Sequence, residues 1–286
     1  MDKHPEFSYS WYFNFYDERN DLTAFMRIGN KPNKDNKDMF FFIVEKDCIN
    51  GMRSAVAYEE NARTRCSGLE FVPNDDGSWH ITYQGPMADY RDQSKISMVG
   101  MDIVWTPVNK EMDYKQCVTA EGAALSSKVA SEHFEQFGKA KGTLKINDRC
   151  YTIEATGERD RSEGVREWGS PKMWYWLNSV YDGEIGFDVT KLCTEMGDVD
   201  AGYFGTEKCN DPLVKHEIDT QYTDGIPSSF TIRSQGKSGR AYEVKGEVIR
   251  HAALPMAPGM MLVETISRTV YNGRTGYGIA EFLVRM

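Results

Sequence analysis

The sequence has no apolar run of about 18 residues, so no membrane-spanning helix is expected and membrane insertion is not part of the reading. Its first residues, MDKHPEFSYSW, lack the apolar stretch of a secretory signal, which makes a cytoplasmic location the expectation. Basic residues are outnumbered: 34 Lys and Arg face 43 Asp and Glu, for a formal net charge of −9. A phosphate-backbone partner needs clustered cations, so nucleic acid is not an expected partner. The six cysteines, at 48, 66, 117, 150, 193 and 209, include no CxxC, and the five histidines form no HxxxH or HExxH. The cysteines read as reduced structural thiols, and no protein-bound catalytic metal is expected. No Gly-rich dinucleotide fingerprint, phosphate loop or G-x-S-x-G elbow occurs, so the reading includes no cofactor.

What the chain does have is aromatic residues: fifteen Tyr, fourteen Phe and six Trp among 286 residues. Together with strand-like segments punctuated by Gly, Pro, Asn and Asp, they predict an all-β protein of sandwiches or barrels. Ser10–Asp17 and Met39–Asp47 read as strands, and Ser94–Val108 as one or two. Gly142–Gly157 reads as a hairpin across Asn147-Asp148. Ala123–Phe137 fits helix and strand equally well. A soft boundary near Gly138–Gly142 divides the chain into an expected first domain over 1–140 and a second over 141–286.

The densest chemistry lies in TGERDRSEGVREWG, Thr156–Gly169, where seven of the ten residues from Glu158 to Glu167 are charged. As a strand, it puts Arg159, Arg161 and Glu163 on one face and Glu158, Asp160 and Ser162 on the other. Charges of both signs next to apolar sequence form a structural ion-pair network, the polar floor of a pocket, or a solvated loop. In the pocket reading Arg161 orients a ligand oxygen, Glu163 or Asp160 moves a proton, and His133, with Glu135 two residues on, supplies a second acid–base group. Trp168, Trp174, Tyr175 and Trp176 are core filling or a wall for an aromatic ligand. Trp174 and Trp176 face opposite to Tyr175. Tyr12 and Asn14, with Arg27, place polar groups among early aromatics. Glu264, Arg268 and Glu281 stand in apolar strands, where salt-bridge pairing is expected.

SWYFNFYD, MRIGNKPN, HFEQFGKAKGTLKINDRCY, GERDRSEGVREWG, YEVKGEVIR and TGYGIAEFLVR resemble the two-domain lipocalin-like proteins related to carotenoid 1,2-hydratases (hydroxyneurosporene synthases). The block Arg159, Asp160, Ser162, Gly164, Arg166 and Trp168 carries most of the likeness. The resemblance implies two lipocalin-like β-barrel or sandwich domains packed together, a hydrophobic cavity, and strand for Ser131–Phe137. In those hydratases the block bears a His and, two residues on, a Trp that protonate an alkene; here the positions hold Arg161 and Glu163. The functional expectation is a cofactor-independent lyase or hydratase. Its substrate would be a small hydrophobic or aromatic molecule: a terpenoid, a steroid or a lignin-derived phenol. The reaction adds or removes water, or breaks a carbon–carbon bond with release of formaldehyde. The rival expectation is a non-catalytic hydrophobic-ligand carrier. The sequence leaves room for a homodimer.

Overall fold

A computed structural model describes residues 3–118, 132–165, 171–195, 197–257 and 259–285. It is all-β, as the aromatic and β-branched strand pattern predicts. The strands are β1 (Phe7–Asp17), β2 (Leu22–Lys31), β3 (Asn36–Val44), β4 (Ile49–Val56), β5 (Arg65–Cys66), β6 (Leu69–Pro73), β7 (Trp79–Asp89), β8 (Ile96–Pro107), β9 (Met112–Asp113), β10 (Glu132–Ile146) and β11 (Arg149–Val165). They continue with β12 (Pro171–Tyr181), β13 (Ile185–Thr194), β14 (Gly197–Thr206), β15 (Asn210–Thr223), β16 (Ile226–Gly236), β17 (Ala241–Ala257), β18 (Met260–Tyr271) and β19 (Arg274–Arg285). Among the described residues no helix is long and apolar enough to cross a membrane.

The chain forms two compact units, 1–107 with 138–166 and 108–137 with 167–286. The sequence reading places one crossing near residue 140. The chain instead crosses three times, at 107/108, 137/138 and 166/167. The reason is long-range pairing. β11 completes the first unit by pairing with β1, while the start of β10 pairs with β9 in the second.

In the first unit the strands run β4-β3-β2-β1-β11-β10-β8-β7, and a short β4–β7 pairing at Asn50↔Asp89 and Gly51↔Ala88 joins the ends. β6 and β5 extend from β7. Inward-facing Phe13, Phe41, Phe71, Trp105 and Ile153 build its core. In the second unit β12 to β19 form a closed antiparallel barrel in sequence order. Its interior holds Leu177, Phe187, Val189, Phe230, Val244 and Phe282. Three of its hairpins turn on Asp182-Gly183, Asp224-Gly225 and Asn272-Gly273, each with positive φ at both residues. That is the backbone that Asp-Gly and Asn-Gly supply cheaply in a right-twisted hairpin. The ambiguous Ala123–Phe137 stretch is strand from Glu132 onward, and its earlier residues lie outside the described residues.

Candidate functional site

Side-chain alternation divides the β11 candidates between the two faces of the strand. On β11, Arg159, Arg161 and Glu163 lie opposite Phe13, Trp11 and Tyr9 of β1. Phe13 belongs to the first unit's core and Trp11 packs against it, so this face looks inward. Arg159 is 6% exposed, with its guanidinium 5.7 Å from the Trp79 ring and 5.9 Å from the Trp105 ring. Asp160 is on the opposite face, across from Tyr12, which in turn pairs with Arg27. Arg27 is bound to Asp38 at 2.7 Å. Asn14 shares the Tyr12 face, and its Oδ1 accepts from the Glu158 amide at 3.1 Å. Asp160 is therefore not brought to the same face as Arg161 and Glu163. Trp168 lies outside the described residues.

His133 and Glu135 do meet, in the second unit. His133 Nε2 is 3.0 Å from Glu135 Oε1, and Glu135 is fully buried. The sequence holds the start of β10 in place through a close approach. Phe137 lies flat on Gly186 of β13, where even a Cβ would come within 1.7 Å of the ring. Phe137 also packs on Tyr203, 4.8 Å between ring centroids. Asn109 fixes the strand by accepting from the Phe137 amide at 2.9 Å and, through its carbonyl, from Gln136 at 2.6 Å. β9 pairs Met112 with Glu135, and the turn that follows carries Tyr114 inward.

Tyr114 is the centre of the cluster. Its hydroxyl donates to Glu135 Oε2 at 2.8 Å and meets Asp188 Oδ2 of β13 in a second, short hydrogen bond. Thr190 Oγ1 is 3.4 Å away, and the His133 ring lies over the tyrosine ring at 4.3 Å. One hydroxyl has one proton, so it serves one carboxylate and accepts from the other. Asp188 is the acid whose ionisation is disfavoured. Complete burial pushes its carboxyl well above the usual range, and the neighbouring Glu135 pushes it further. Asp188 sits where it does because Gly202, across from β13, lets the backbones close; a Cβ there would be 2.2 Å from the Asp188 carbonyl. The result is a chain Asp188–Tyr114–Glu135–His133, from a wholly buried acid to an imidazole whose side chain is 26% exposed.

Along the same outward face of the barrel lie Trp176, opposite Thr190, and Glu281, opposite Trp176. Trp174 donates its indole N–H to Glu281 Oε1 at 2.5 Å. Tyr175 points the other way, into the barrel against Phe282. Arg268 finds the expected acid, Glu247, at 2.7 Å. Glu264 and Glu281 are cross-strand partners of each other. Burial and the adjoining Glu281 hold the Glu264 carboxyl well above its ordinary range. For Glu264 the cross-strand partner is thus an acid in place of the expected cation.

With this geometry in place, comparison with known proteins assigns a family. Residues 1–285 match the family model described as a domain of unknown function, DUF7064. The chain belongs to this family. No curated protein matches the sequence. Among solved structures, the chain is similar to a putative AttH from Nitrosomonas europaea, at 9% identity and a TM-score of 0.70, covering 99% of this chain and 94% of that one. It is similar to CghA, at 10% identity and 0.63, covering 99% and 89%. It is also similar to kievitone hydratase from Nectria haematococca, at 12% identity and 0.59, covering 96% and 88%. At such identities the likeness establishes a shared fold over nearly the whole of each chain.

Sequence reasoning passed over Tyr114 and Asp188. Tyr114 follows no motif and is placed by the β9 turn. Asp188 did carry a signal, a single acid between Phe187 and Val189 in an apolar strand.

Proposed function

We propose that this protein is a cofactor-independent acid–base enzyme of the hydratase or related lyase type, acting on a small hydrophobic molecule. The observation that carries this reading is the buried chain Asp188–Tyr114–Glu135–His133. An acid whose carboxyl burial holds well above its ordinary range is suited to deliver a proton to a weakly basic carbon. In the hydration direction, the Asp188 O–H bond breaks as a C–H bond forms on an alkene carbon of the substrate. Water then forms a C–O bond at the adjacent carbon, and its surplus proton returns to Asp188 along Tyr114 and Glu135. Loss of water runs the same steps backwards. Trp174 and Trp176 offer indole surface on the same face for an aromatic or terpenoid skeleton. The fold shared with a kievitone hydratase, and the resemblance to carotenoid hydratases, support the reaction class. Arg161 and Glu163, on the inner face of the first unit, are given no proton transfer in this reading.

The test is incubation of the full chain with a panel of terpenoid, steroid and lignin-derived phenolic compounds, followed by mass spectrometry for gain or loss of one water or loss of formaldehyde. Wild type is expected to convert at least one compound, with deuterium entering carbon in heavy water, and Asp188→Asn to convert none. Equal conversion by both proteins contradicts the assignment.

A further inference from the structure

The acids Glu264 and Glu281 lie in one cross-strand row with Trp176 and Thr190, and Asp188 is two residues along β13 from Thr190 on the same face. Glu264 is 3% exposed, and its Oε2 has no hydrogen-bond partner. Between the two acid pairs stands Asn178, the cross-strand partner of Asp188. It is 2% exposed, its Oδ1 accepts from the Ile279 amide at 3.0 Å, and its Nδ2 has no hydrogen-bond partner. Buried donors and acceptors left unmade weaken a fold, so one acceptor and one donor on a single face indicate a ligand that completes both.

The geometry points to Glu264 and Glu281 as the anchor for the far end of the substrate, accepting hydrogen bonds from a hydroxyl or protonated amine, while Asn178 donates to an acceptor in its middle and Trp176 supports its flat body. This inference rests on the proposed function, which puts the reacting carbon at Asp188. Adjacent strands are about 4.8 Å apart and same-face residues about 6.6 Å apart along a strand, which puts Glu281 about 12 Å from Asp188, backbone to backbone. The substrate class is therefore a hydroxylated or amino-bearing polycyclic molecule roughly two to three rings long, its donor group at the end away from the reacting carbon.

The probes are 4-hydroxybiphenyl and 4-methoxybiphenyl, titrated into the full chain and followed by tryptophan fluorescence. Wild type is expected to bind the hydroxyl compound about tenfold more tightly than the ether. The preference should shrink to about twofold or less in Glu281→Gln and in Glu264→Leu, and persist in Asp188→Asn. Failure of either probe to bind, no preference in wild type, an unchanged preference in both glutamate variants, or its loss in Asp188→Asn each overturns the anchor. Turnover by Asp188→Asn with the preference intact would sink the proposed reaction while leaving the anchor standing.

Discussion

On β11, Arg159 is buried with its guanidinium against the rings of Trp79 and Trp105. On β13, Asp188 is equally hidden but sits with Glu135, a second carboxylate. An aromatic face attracts a cation through its ring quadrupole. Two neighbouring carboxylates cannot both stay ionised in a dry site, so one keeps a proton. The comparison teaches that burial against aromatic faces and burial beside a second acid have different consequences for a charged side chain. The block from Glu158 to Glu167 interleaves both signs, and the inward face of its β11 part is set among aromatics. The carboxyls held well above their ordinary range belong to single acids in apolar strands, Asp188 in GFDVTKL and Glu264 in MLVETIS.

The contrast breaks most sharply at the chemical step. Asp188→Asn should lower turnover by about 10²–10⁴-fold, measured on any compound the wild type converts, whereas Arg161→Gln should leave it within about threefold. A reversed outcome would move the chemistry to β11. Next is stability. Arg159→Ala should lower the free energy of unfolding by about 2–3 kcal/mol in urea titrations, since both the stacked guanidinium and its apolar stem are lost.

A finer distinction is the pH dependence of that stability. Asp188 and Glu264 have raised carboxyl pKa values in the fold, so their contribution is complete below the ordinary carboxylate range. It declines as pH rises toward their folded values, because the unfolded chain ionises first. Glu264→Gln should therefore raise the melting temperature at pH 8 and change it little at pH 4, as calorimetry would show. His216 acts in the opposite sense. Burial lowers its pKa to about 4, with its ring held by Ser234 and the Ala201 carbonyl, so its contribution fades as pH falls from about 6.5 toward 4. The smallest effect belongs to an ordinary ion pair on the same strand as Glu264. Arg268→Gln, which removes the exposed contact to Glu247, should cost less than about 1 kcal/mol in the same urea titration.

Much of the fold was legible because local rules suffice for it. The hairpin expected across Asn147-Asp148 joins β10 to β11, and alternation correctly separated Tyr175 from Trp174 and Trp176. Alternation also divided β11 into two faces, but only the pairing of Arg159 with Phe13 says which one looks inward. The exchange of segments between the units was invisible, since β1↔β11 pairing spans more than a hundred residues and leaves no local trace. At the site, His133 and Glu135 were legible because they are two apart on one strand. Tyr114 and Asp188 were not, because their meeting depends on β9 docking beside β10 and on Gly186 and Gly202 admitting close neighbours. Glu264 and Glu281 were visible as acids in apolar strands, but only the β18–β19 register reveals that each faces another acid.

The measurement that bears most directly on this account is an infrared difference spectrum at pH 7 between wild type and Asp188→Asn. A protonated carboxyl stretch that is present in the wild type and reduced in the variant is the predicted result. A spectrum in which the variant loses only carboxylate absorption would show Asp188 to be ionised, and would contradict the claim that it holds the proton.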